Sequence, residues 1–439
     1  MKVAAYVHKK YAKQTYAVES HNVRAWHGFS VILDAVKRGG IEYQYAGMAT
    51  IHEYDVVLVS ITSDCDWWTF LSERVRWKSG KYKIVIGGAG VLNVRPFLQY
   101  VDCFVFGRGE NIIVPLLREI EAGGRYKHES VCWSDEFDVS KNYFIAQVDK
   151  PYEYECRLEN SKTFKEESIG CPYKCYFCGY TWQRKYIGDG SFTAGSGSMS
   201  AGSGERTIID LLKLEPQRWQ EDALVMAVGL DGMSERLRFM VNKKISREMF
   251  KRFLSGLTTL ERPHQIKIYN IVGYPTETEN DWREVVQDIK EIDMLQSKSE
   301  KQWSLLFHFT PFRAMPATPL ACWPMSYVEY RYNICKELKE PQMPGNVFFQ
   351  GNKFWAVEGL GTDCLARVIQ SAIILRGEEA DAESIVRVAT SRKFQSASAY
   401  EMRKTLEGLF DVEKLFGAYM PETLPTRYLK SYIPIKYKN

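Results

Sequence analysis

The residues best placed for chemistry are three cysteines on one short segment. The stretch ESIGCPYKCYFCGYTW holds Cys171, Cys175 and Cys178 at the spacing C-x3-C-x2-C. Thiolates are soft ligands that suit zinc, copper(I) and iron–sulfur clusters. A structural zinc site takes four protein ligands, whereas Cys156 lies on a different predicted element and the next histidine downstream is His264. A 4Fe–4S cluster is normally saturated by four thiolates, so three would leave one iron open for chemistry.

The overall composition is that of a folded soluble protein. The chain has 439 residues, 45% of them hydrophobic and 26% charged, which suits two or three domains. No apolar run reaches the roughly 18 residues of a membrane span, and MKVAAYVHKK carries charge too early for a signal peptide. We therefore expect a cytoplasmic protein without a membrane partner, whose other cysteines are small buried hydrophobes. The formal charge of +4 neither demands nor excludes a nucleic-acid partner.

Residues 1–145 alternate apolar, strand-like runs with helical patterns, such as VRPFLQYV (94–101). The runs DVVLVSIT (55–62), KIVIGGAG (83–90) and CFVFGRGE (103–110) each end in turn residues. Strand, helix and strand in succession predict an α/β domain with a parallel, doubly wound, Rossmann-like sheet. Ligands of such sheets bind beyond the carboxyl ends of the strands, where these turns should gather. The glycines of GGAG either let a ligand approach the backbone or only make a tight turn, and both interpretations stay open.

A Gly/Ser-rich stretch follows the cysteines. IGDGSFTAGSGSMSAGSG (187–204) has the composition of flexible coil. A lid over substrate, a passive linker and an engineered replacement for a loop all fit it. From residue 206 strand and helix patterns alternate again, with Thr278 as the N-cap of one helix. Strands are predicted at 223–232, 265–275 and 304–312.

Beyond about residue 325 the patterns are helical and amphipathic. The tail LPTRYLKSYIPIKYKN places Arg427, Lys430, Lys436 and Lys438 among aromatic and apolar residues. Such a tail either contacts a phosphate backbone or is simply solvated. We expect three units in the chain, at 1–145, 146–325 and 326–439.

Beyond its spacing, the cysteine loop carries an aromatic residue, Phe177, just before its third cysteine. In this it resembles the defining loop of the radical S-adenosylmethionine superfamily. Three later segments are similar, in the same order, to barrel segments of the branch that includes cobalamin-domain and methylthiotransferase enzymes. They are GLDGMSERLRFMVNKKISREMF (229–250), IKIYNIVGYPTETENDW (266–282) and HFTPFRAMPATP (308–319). The resemblance covers about residues 150–325.

This resemblance implies a partial (β/α) barrel with the cluster loop after its first strand. Cys171, Cys175 and Cys178 would be the metal ligands and catalytic residues, and S-adenosylmethionine would bind the open iron through its amino and carboxylate groups. One electron, from a flavodoxin- or ferredoxin-type partner, would cleave it to methionine and a 5′-deoxyadenosyl radical, which abstracts hydrogen from the substrate. The protein's share is to position the reactants and to exclude water.

Other roles follow residue by residue from the resemblance. Asp231, Gly232 and Ser234 match the strand end that meets the methionine or ribose part, with Asp231 standing in for an acidic-glycine motif that is not clearly present. Arg238 would pair with the methionine carboxylate as a fork, or else solvate a helix face. Two further sets match adenine contacts. They are the strand end at Gly273 and the flanking aromatics Phe177 and Tyr180, which would otherwise be core residues.

The N-terminal unit resembles the cobalamin-binding domain of many of these enzymes. The motif D-x-H-x2-G, whose histidine binds cobalt in many relatives, is missing, and none of His8, His21 and His27 has its context. Some members bind cobalamin without this histidine, and others keep the fold without the cofactor. We expect a degenerate domain that no longer binds cobalamin and instead shapes the substrate cleft.

Three functions therefore remain. The first is radical rearrangement or hydrogen abstraction without cobalamin, on a nucleic-acid base or a base-linked amino acid. For this function, the sequence pattern resembles that of the virus-encoded isomerases that act on amino-acid-modified thymines in DNA. The second is cobalamin-dependent methylation of a small molecule or peptide, and the third is a non-catalytic iron–sulfur or zinc protein. No second cysteine cluster is present in the sequence, which argues against a methylthiotransferase.

Overall fold

The computed structural model describes about half of the chain. The described residues are 1–6, 27–47, 49–62, 66–67, 70–71, 82–138, 141, 143–155, 163–165, 168–188, 193–194, 203–220, 225–257, 259–260, 264–291, 303–315, 318–320, 323, 347–351 and 435–436. Within them, strands and helices alternate along the chain, and the α/β class predicted from the sequence is confirmed.

The N-terminal part forms a six-stranded sheet with the order β2-β1-β3-β4-β5-β6. Its strands are β1 (Val3–Tyr6), β2 (Tyr43–Ala46), β3 (Val56–Ser60), β4 (Lys83–Gly87), β5 (Cys103–Val105) and β6 (Val131–Trp133). The first five are parallel, and β6 pairs antiparallel with β5. The order of these five is the flavodoxin-like, doubly wound order. The three predicted strands are present, each ending close to the start of its turn.

Both faces of this sheet are buried because successive strand residues point to opposite sides. On one face, helices α1 (His27–Arg38) and α2 (Ile113–Glu121) cover residues such as Leu58 and Val105. On the other face, Trp67 stacks on Phe97 with ring centroids 3.7 Å apart, in the core that contains Val57. The helix predicted over 94–101 is only a 3-10 turn, Arg95–Phe97.

A second six-stranded sheet has the order β10-β11-β12-β13-β14-β15. Its strands are β10 (Thr193–Ala194), β11 (Ser203–Arg206), β12 (Val225–Gly229), β13 (His264–Val272), β14 (Trp303–Pro311) and β15 (Val347–Gly351). Strands β11 to β15 are parallel, and β10 adds an antiparallel edge. The connecting helices are α4 (Ile208–Leu211), α5 (Glu235–Met240), α6 (Arg247–Leu257) and α7 (Glu279–Glu291). Further 3-10 turns lie at Ile51–Glu53, Ser134–Glu136 and Pro216–Gln220.

Smaller elements complete the described part. Strands β7 (Tyr143–Phe144) and β16 (Ile435–Lys436) pair in parallel, β8 (Glu153–Glu155) and β9 (Thr163–Lys165) pair antiparallel, and helix α3 is Gly179–Trp182. Strand β10 and the start of β11 lie inside the predicted flexible stretch 187–204. Of the predicted helical region 326–439 only β15 and β16 are described, and its predicted helices lie outside the described residues. None of the described helices is long and apolar enough to cross a bilayer.

Candidate functional site

The loop that carries the three cysteines is held by the short helix that follows it. Cys178 is the N-cap residue of α3, so the helix begins directly at the last thiol. Two side chains of α3 then turn back on the loop. Thr181 Oγ1 donates to the carbonyl oxygen of Cys171 at 2.9 Å, and Trp182 Nε1 donates to that of Cys175 at 2.8 Å. The backbone between the cysteines is therefore fixed by hydrogen bonds that do not use the thiols.

The three thiols are free, and burial controls their charge. Cys175 is buried, and Cys171 and Cys178 are partly exposed. Burial raises the pKa of Cys175 to about 12, against the opposing effect of the Lys243 ammonium, and the other two thiols raise it further. Burial likewise raises the pKa of Cys171 and of Cys178. The apoprotein thus holds neutral thiols near neutral pH, and a bound metal would have to displace their protons.

The donor set fits an iron–sulfur cluster in its chemistry. It consists of three soft sulfur ligands on one loop, and their charges interact with one another. Among the residues that the structure describes, no three His, Cys, Asp or Glu side chains converge on a point suited to one metal ion. A cluster makes a different demand, because each thiolate binds its own iron atom.

The turn after helix α5 also holds the cysteine loop, in addition to the contacts from helix α3. The backbone N–H of Tyr176 donates to the carbonyl oxygen of Val241 at 2.9 Å. Asn242, whose φ of +57° ends the helix in the left-handed region, donates from Nδ2 to the carbonyl oxygen of Lys174 at 2.8 Å. These contacts bind the turn that precedes Lys243 to the backbone of the cysteine loop.

Asp231, just beyond the carboxyl end of β12, forms a buried ion pair with Lys243. Lys243 Nζ lies 2.6 Å from Asp231 Oδ2, and the two side chains are only 10% and 16% exposed. Asp231 has a φ of +56°, and its carbonyl oxygen accepts from the hydroxyl of Tyr274 at 3.0 Å. Gly229 makes room for the pair, because a Cβ there would lie 2.7 Å from Asp231 Oδ2 and 3.3 Å from Lys243 Nζ.

Gly232 and Ser234, both predicted to contact S-adenosylmethionine, are engaged in holding this strand end. The backbone N–H of Gly232 donates to Asn270 Oδ1 at 2.9 Å. Ser234 caps helix α5 by accepting from the N–H of Leu237, and its hydroxyl donates to the Asp281 carboxylate. Ser234 is 3% exposed. These two residues are therefore placed next to Asp231, with their polar groups paired inside the protein.

Arg238, predicted to pair with the methionine carboxylate, is completely buried. Its Nε donates to the carbonyl oxygen of Ile245 at 2.8 Å, and its Nη1 donates to that of Gly232 at 3.1 Å. Its Nη2 lies 3.4 Å from Glu284 Oε1. Burial lowers the pKa of Arg238 to about 10, while the Glu284 carboxylate opposes the shift. A ligand role would require the exchange of these internal bonds.

The predicted adenine contacts are divided between two places. Gly273, with a φ of +81°, ends β13, and its N–H donates to Glu277 Oε2 at 2.7 Å. Phe177 is partly buried against the core. Tyr180 is 40% exposed, and the Arg184 guanidinium lies over its ring, 4.3 Å from the centroid. Tyr180 and Arg184 line a cavity of the N-terminal sheet.

This cavity, of about 380 Å³, lies at the carboxyl edge of the N-terminal sheet. Its floor is apolar, and its rim consists of the turns predicted to gather there. They include Ser60, Thr62, Gly87, Gly88, Gly107, Arg108, Gly109 and Glu110. Gly88 is needed for its turn, since it has a φ of +117° and a Cβ there would lie 2.4 Å from the Ile61 carbonyl oxygen. Helix α3 supplies a wall of the cavity, so the cysteine loop and the N-terminal sheet share one boundary.

Sequence reasoning missed Lys243 and Arg184. Lys243 sits in the run VNKK, where two adjacent lysines follow a helix and only the fold separates the buried one from the exposed one. Arg184 follows the cysteine motif by a few residues, and its spacing of four from Tyr180 within a helical turn was the available signal. Together, the fold and site define an α/β protein with two mainly parallel sheets and a loop of three free cysteines.

Comparison with known proteins identifies no family. No protein-family model matches the sequence, and no curated protein matches it. The similar solved structures include three of the cobalamin-dependent S-adenosylmethionine radical enzyme OxsB. The form with aqua-cobalamin and S-adenosylmethionine bound has a TM-score of 0.43 at 10% identity, over 67% of this chain and 52% of that chain.

The other two forms of OxsB are less similar. The form with aqua-cobalamin bound has a TM-score of 0.39 at 10% identity, over 67% of this chain and 52% of that chain. The apo form has a TM-score of 0.30 at 12% identity, over 88% of this chain and 48% of that chain. The chain thus spans about half the length of these structures.

Proposed function

We propose that the protein is a radical S-adenosylmethionine enzyme whose 4Fe–4S cluster is held by Cys171, Cys175 and Cys178. The observation that carries the proposal is the single loop with three free, mutually interacting thiols, fixed through its backbone so that the thiols stay available. When bound and reduced, such a cluster supplies the electron that cleaves S-adenosylmethionine to a 5′-deoxyadenosyl radical. Because only three thiolates would bind the cluster, one iron would stay open for S-adenosylmethionine.

The surrounding residues have separable tasks under this proposal. Asp231 and Lys243 form a pair of one negative and one positive group at the strand end that the superfamily resemblance assigns to the methionine part. Gly232, Ser234 and Arg238 hold that strand end through internal hydrogen bonds. Exclusion of water from the site would protect a radical from being quenched.

We favour hydrogen abstraction or rearrangement without cobalamin, on a nucleic-acid base or a base-linked amino acid, with a flavodoxin- or ferredoxin-type electron donor. The missing D-x-H-x2-G motif supports the absence of cobalamin. Aromatic residues suit a base-containing substrate because every base offers a face for stacking. In this function the cavity would belong to the substrate cleft.

A cobalamin-dependent methyltransferase acting on a small molecule or peptide is the second candidate. The cavity favours it, because about 380 Å³ of largely apolar space lies at the carboxyl edge of a doubly wound sheet and is bounded by the cysteine loop. A non-catalytic iron–sulfur protein is the third candidate and uses the same cysteines for structure alone.

The test is an anaerobic product analysis. The cluster is reconstituted, dithionite and S-adenosylmethionine are added with or without cobalamin, and products are quantified by mass spectrometry. 5′-Deoxyadenosine alone supports the favoured function. S-Adenosylhomocysteine that rises only with cobalamin supports the methyltransferase. If neither product forms from protein with its iron fully loaded, in the presence of a thymidine-containing DNA substrate as well, the enzyme proposal fails and the non-catalytic candidate remains.

A further inference from the structure

The segment that follows strand β7 holds one side of the mouth of the N-terminal cavity. Gly107 and Ala146 form an isolated parallel β-bridge. The backbone N–H of Arg108 donates to the carbonyl oxygen of Ala146 at 2.9 Å, and the N–H of Ala146 donates to that of Phe106 at 3.0 Å. A Cβ at Gly107, whose φ is +80°, would lie 2.6 Å from the Ala146 carbonyl oxygen. The backbone at Arg108 is therefore fixed where this arginine lines the cavity.

The next residue, Gln147, holds the backbone on both sides of a second arginine, Arg184. Gln147 Nε2 donates to the carbonyl oxygen of Gln183 at 3.0 Å, and its Oε1 accepts from the N–H of Lys185 at 2.8 Å. The Arg184 side chain is directed by its contact with the Tyr180 ring, 4.3 Å from the guanidinium. One short segment thus positions two arginines at the mouth of the cavity, one through its backbone and one through a side-chain amide.

The two arginines lie at the same end of the cavity. Both also line a small adjoining cavity of about 30 Å³. The charged residues of the main cavity are these two arginines and Glu110, which gives the lining a net positive charge of one. Glu110 is engaged with Arg108, since its Oε1 lies 2.6 Å from Arg108 Nη2. A ligand with one anionic group would therefore complement the charge of the mouth.

The interior of the cavity favours a flat, weakly polar group. Phe29 of α1, Ile113 of α2 and Val85 of the sheet are among the apolar residues that line it. Its volume of about 380 Å³ lies in the range of small-molecule sites. An aromatic ring gains free energy by burial in such a space, and a guanidinium group binds phosphate through two parallel hydrogen bonds. Ring and phosphate together describe a nucleotide.

We propose that this cavity is a nucleotide site, in which the base occupies the apolar interior and the phosphate binds Arg184 at the mouth. Gln147 is a positioning residue, because it holds the backbone of Arg184 and does not itself line the cavity. The inference deepens the favoured function, and it rests on that function for the identification of the nucleotide with the substrate. Binding itself requires no cluster, so the site and the radical chemistry are tested separately.

The experiment is isothermal titration calorimetry of the full-length protein with thymidine 5′-monophosphate, thymidine and inorganic phosphate. We expect the nucleotide to bind about tenfold more tightly than the nucleoside, the effect of a hydrogen-bonded charge, and inorganic phosphate to bind weakly. Arg184→Met should abolish the difference between nucleotide and nucleoside. Lys185→Met should keep it, because this adjacent cation is exposed and does not line the cavity. Gln147→Leu should weaken nucleotide binding and leave nucleoside binding unchanged.

A second variant tests the position of the base. Gly87 and Val85 lie on the same face of β4, since alternate strand residues share a face, and both line the cavity. A Cβ at Gly87 would lie 3.6 Å from the Val105 carbonyl oxygen, an ordinary contact that the fold tolerates. Gly87→Val adds a larger side chain to the cavity lining. It should weaken the binding of nucleotide and nucleoside alike, by about tenfold.

Several outcomes would overturn the inference. Equal affinities for nucleotide and nucleoside would do so, as would a difference that survives in folded Arg184→Met. If Arg184→Met does not fold, as judged by circular dichroism, the response of Gln147→Leu decides. Binding of aqua-cobalamin without binding of the nucleotide would assign the cavity to that cofactor instead. Formation of 5′-deoxyadenosine without nucleotide binding would refute this inference alone, whereas nucleotide binding without that product would support the site and refute the proposed function.

Discussion

Arg238 has two competing interpretations. Its sequence context implies a ligand of S-adenosylmethionine, whereas its surroundings imply an internal anchor of the fold. The guanidinium is fully buried and donates to the carbonyl oxygens of Ile245 and Gly232, with Glu284 at 3.4 Å. The substitution Arg238→Met keeps most of the side-chain volume and removes every donor. If Arg238 anchors the protein, this change should cost stability. If it binds S-adenosylmethionine, the change should cost affinity.

The expected loss of folding stability follows from the polar groups that lose Arg238 as a hydrogen-bond partner. Two buried carbonyl oxygens lose a charge-assisted hydrogen bond, and an unsatisfied buried polar group costs about 1–3 kcal/mol. Glu284 keeps the backbone N–H of Glu235 at 2.7 Å as a partner, so its loss is partial. Breaking a buried ion pair by removal of one partner costs about 3–5 kcal/mol. We expect the free energy of unfolding to fall by about 3–5 kcal/mol.

Urea unfolding of the apoprotein, followed by circular dichroism, measures this cost, and anaerobic calorimetry of the cluster-loaded variant measures S-adenosylmethionine affinity. We expect a lower unfolding midpoint and an unchanged dissociation constant at low temperature. Arg252→Met, which removes an exposed arginine of α6, is the control and should leave both values unchanged. A loss of stability below about 1 kcal/mol together with weakened binding would refute the anchoring role.

Three further perturbations test other parts of the structure. Cys175→Ala should abolish reconstituted iron, measured by colorimetric iron analysis, while circular dichroism stays unchanged; retained iron would exclude this ligand. Gly229→Ala should reduce iron retention after gel filtration, since its Cβ would meet Asp231 Oδ2 at 2.7 Å; full retention would show that the ion pair is dispensable. Burial and the hydroxyl's bond to Asp34, at 2.9 Å, raise the pKa of Tyr152 to about 12. Because this folded-state pKa lies above the ordinary value of 10.0, the associated stability should be complete below about pH 10 and lost between about pH 10 and 12. Unfolding midpoints of Tyr152→Phe should lack that part of the pH dependence.

The fold class and the edge that gathers the N-terminal turns were predictable because they depend on local periodicity. The strands at 55–62, 83–90 and 103–110 end at Ser60, Gly87 and Val105, where the turn residues begin. Parallel pairing then brings those turns to one edge by geometry alone. The helix predicted over 94–101 failed because Pro96 and the surrounding turn favour a 3-10 segment, which local pattern does not distinguish from the start of a helix.

The roles of the charged residues could not be predicted from the sequence. Arg238 lies one helical turn after Ser234, so its spacing suits both a ligand and a core anchor. Only the packing of α5 against Glu284 and Ile245 makes it internal. Lys243 and Lys244 are identical by composition, and the left-handed turn at Asn242 decides which one is buried. Burial of charge is a tertiary property, so sequence spacing alone does not specify it.

The shared boundary between the cysteine loop and the cavity affects how cofactor binding should be measured. Helix α3 starts at Cys178, and its residue Tyr180, together with Arg184, lines the cavity. A metal at Cys178 would restrain the start of this helix, so a wall of the cavity would be formed before a ligand enters. If iron at the cysteines changes the affinity of the cavity for a ligand, that ligand changes the affinity for iron by the same factor. Binding of aqua-cobalamin should therefore be compared before and after iron loading. Equal affinity in both states would mean that α3 transmits nothing between the two sites, and absence of binding in both would favour the function without cobalamin.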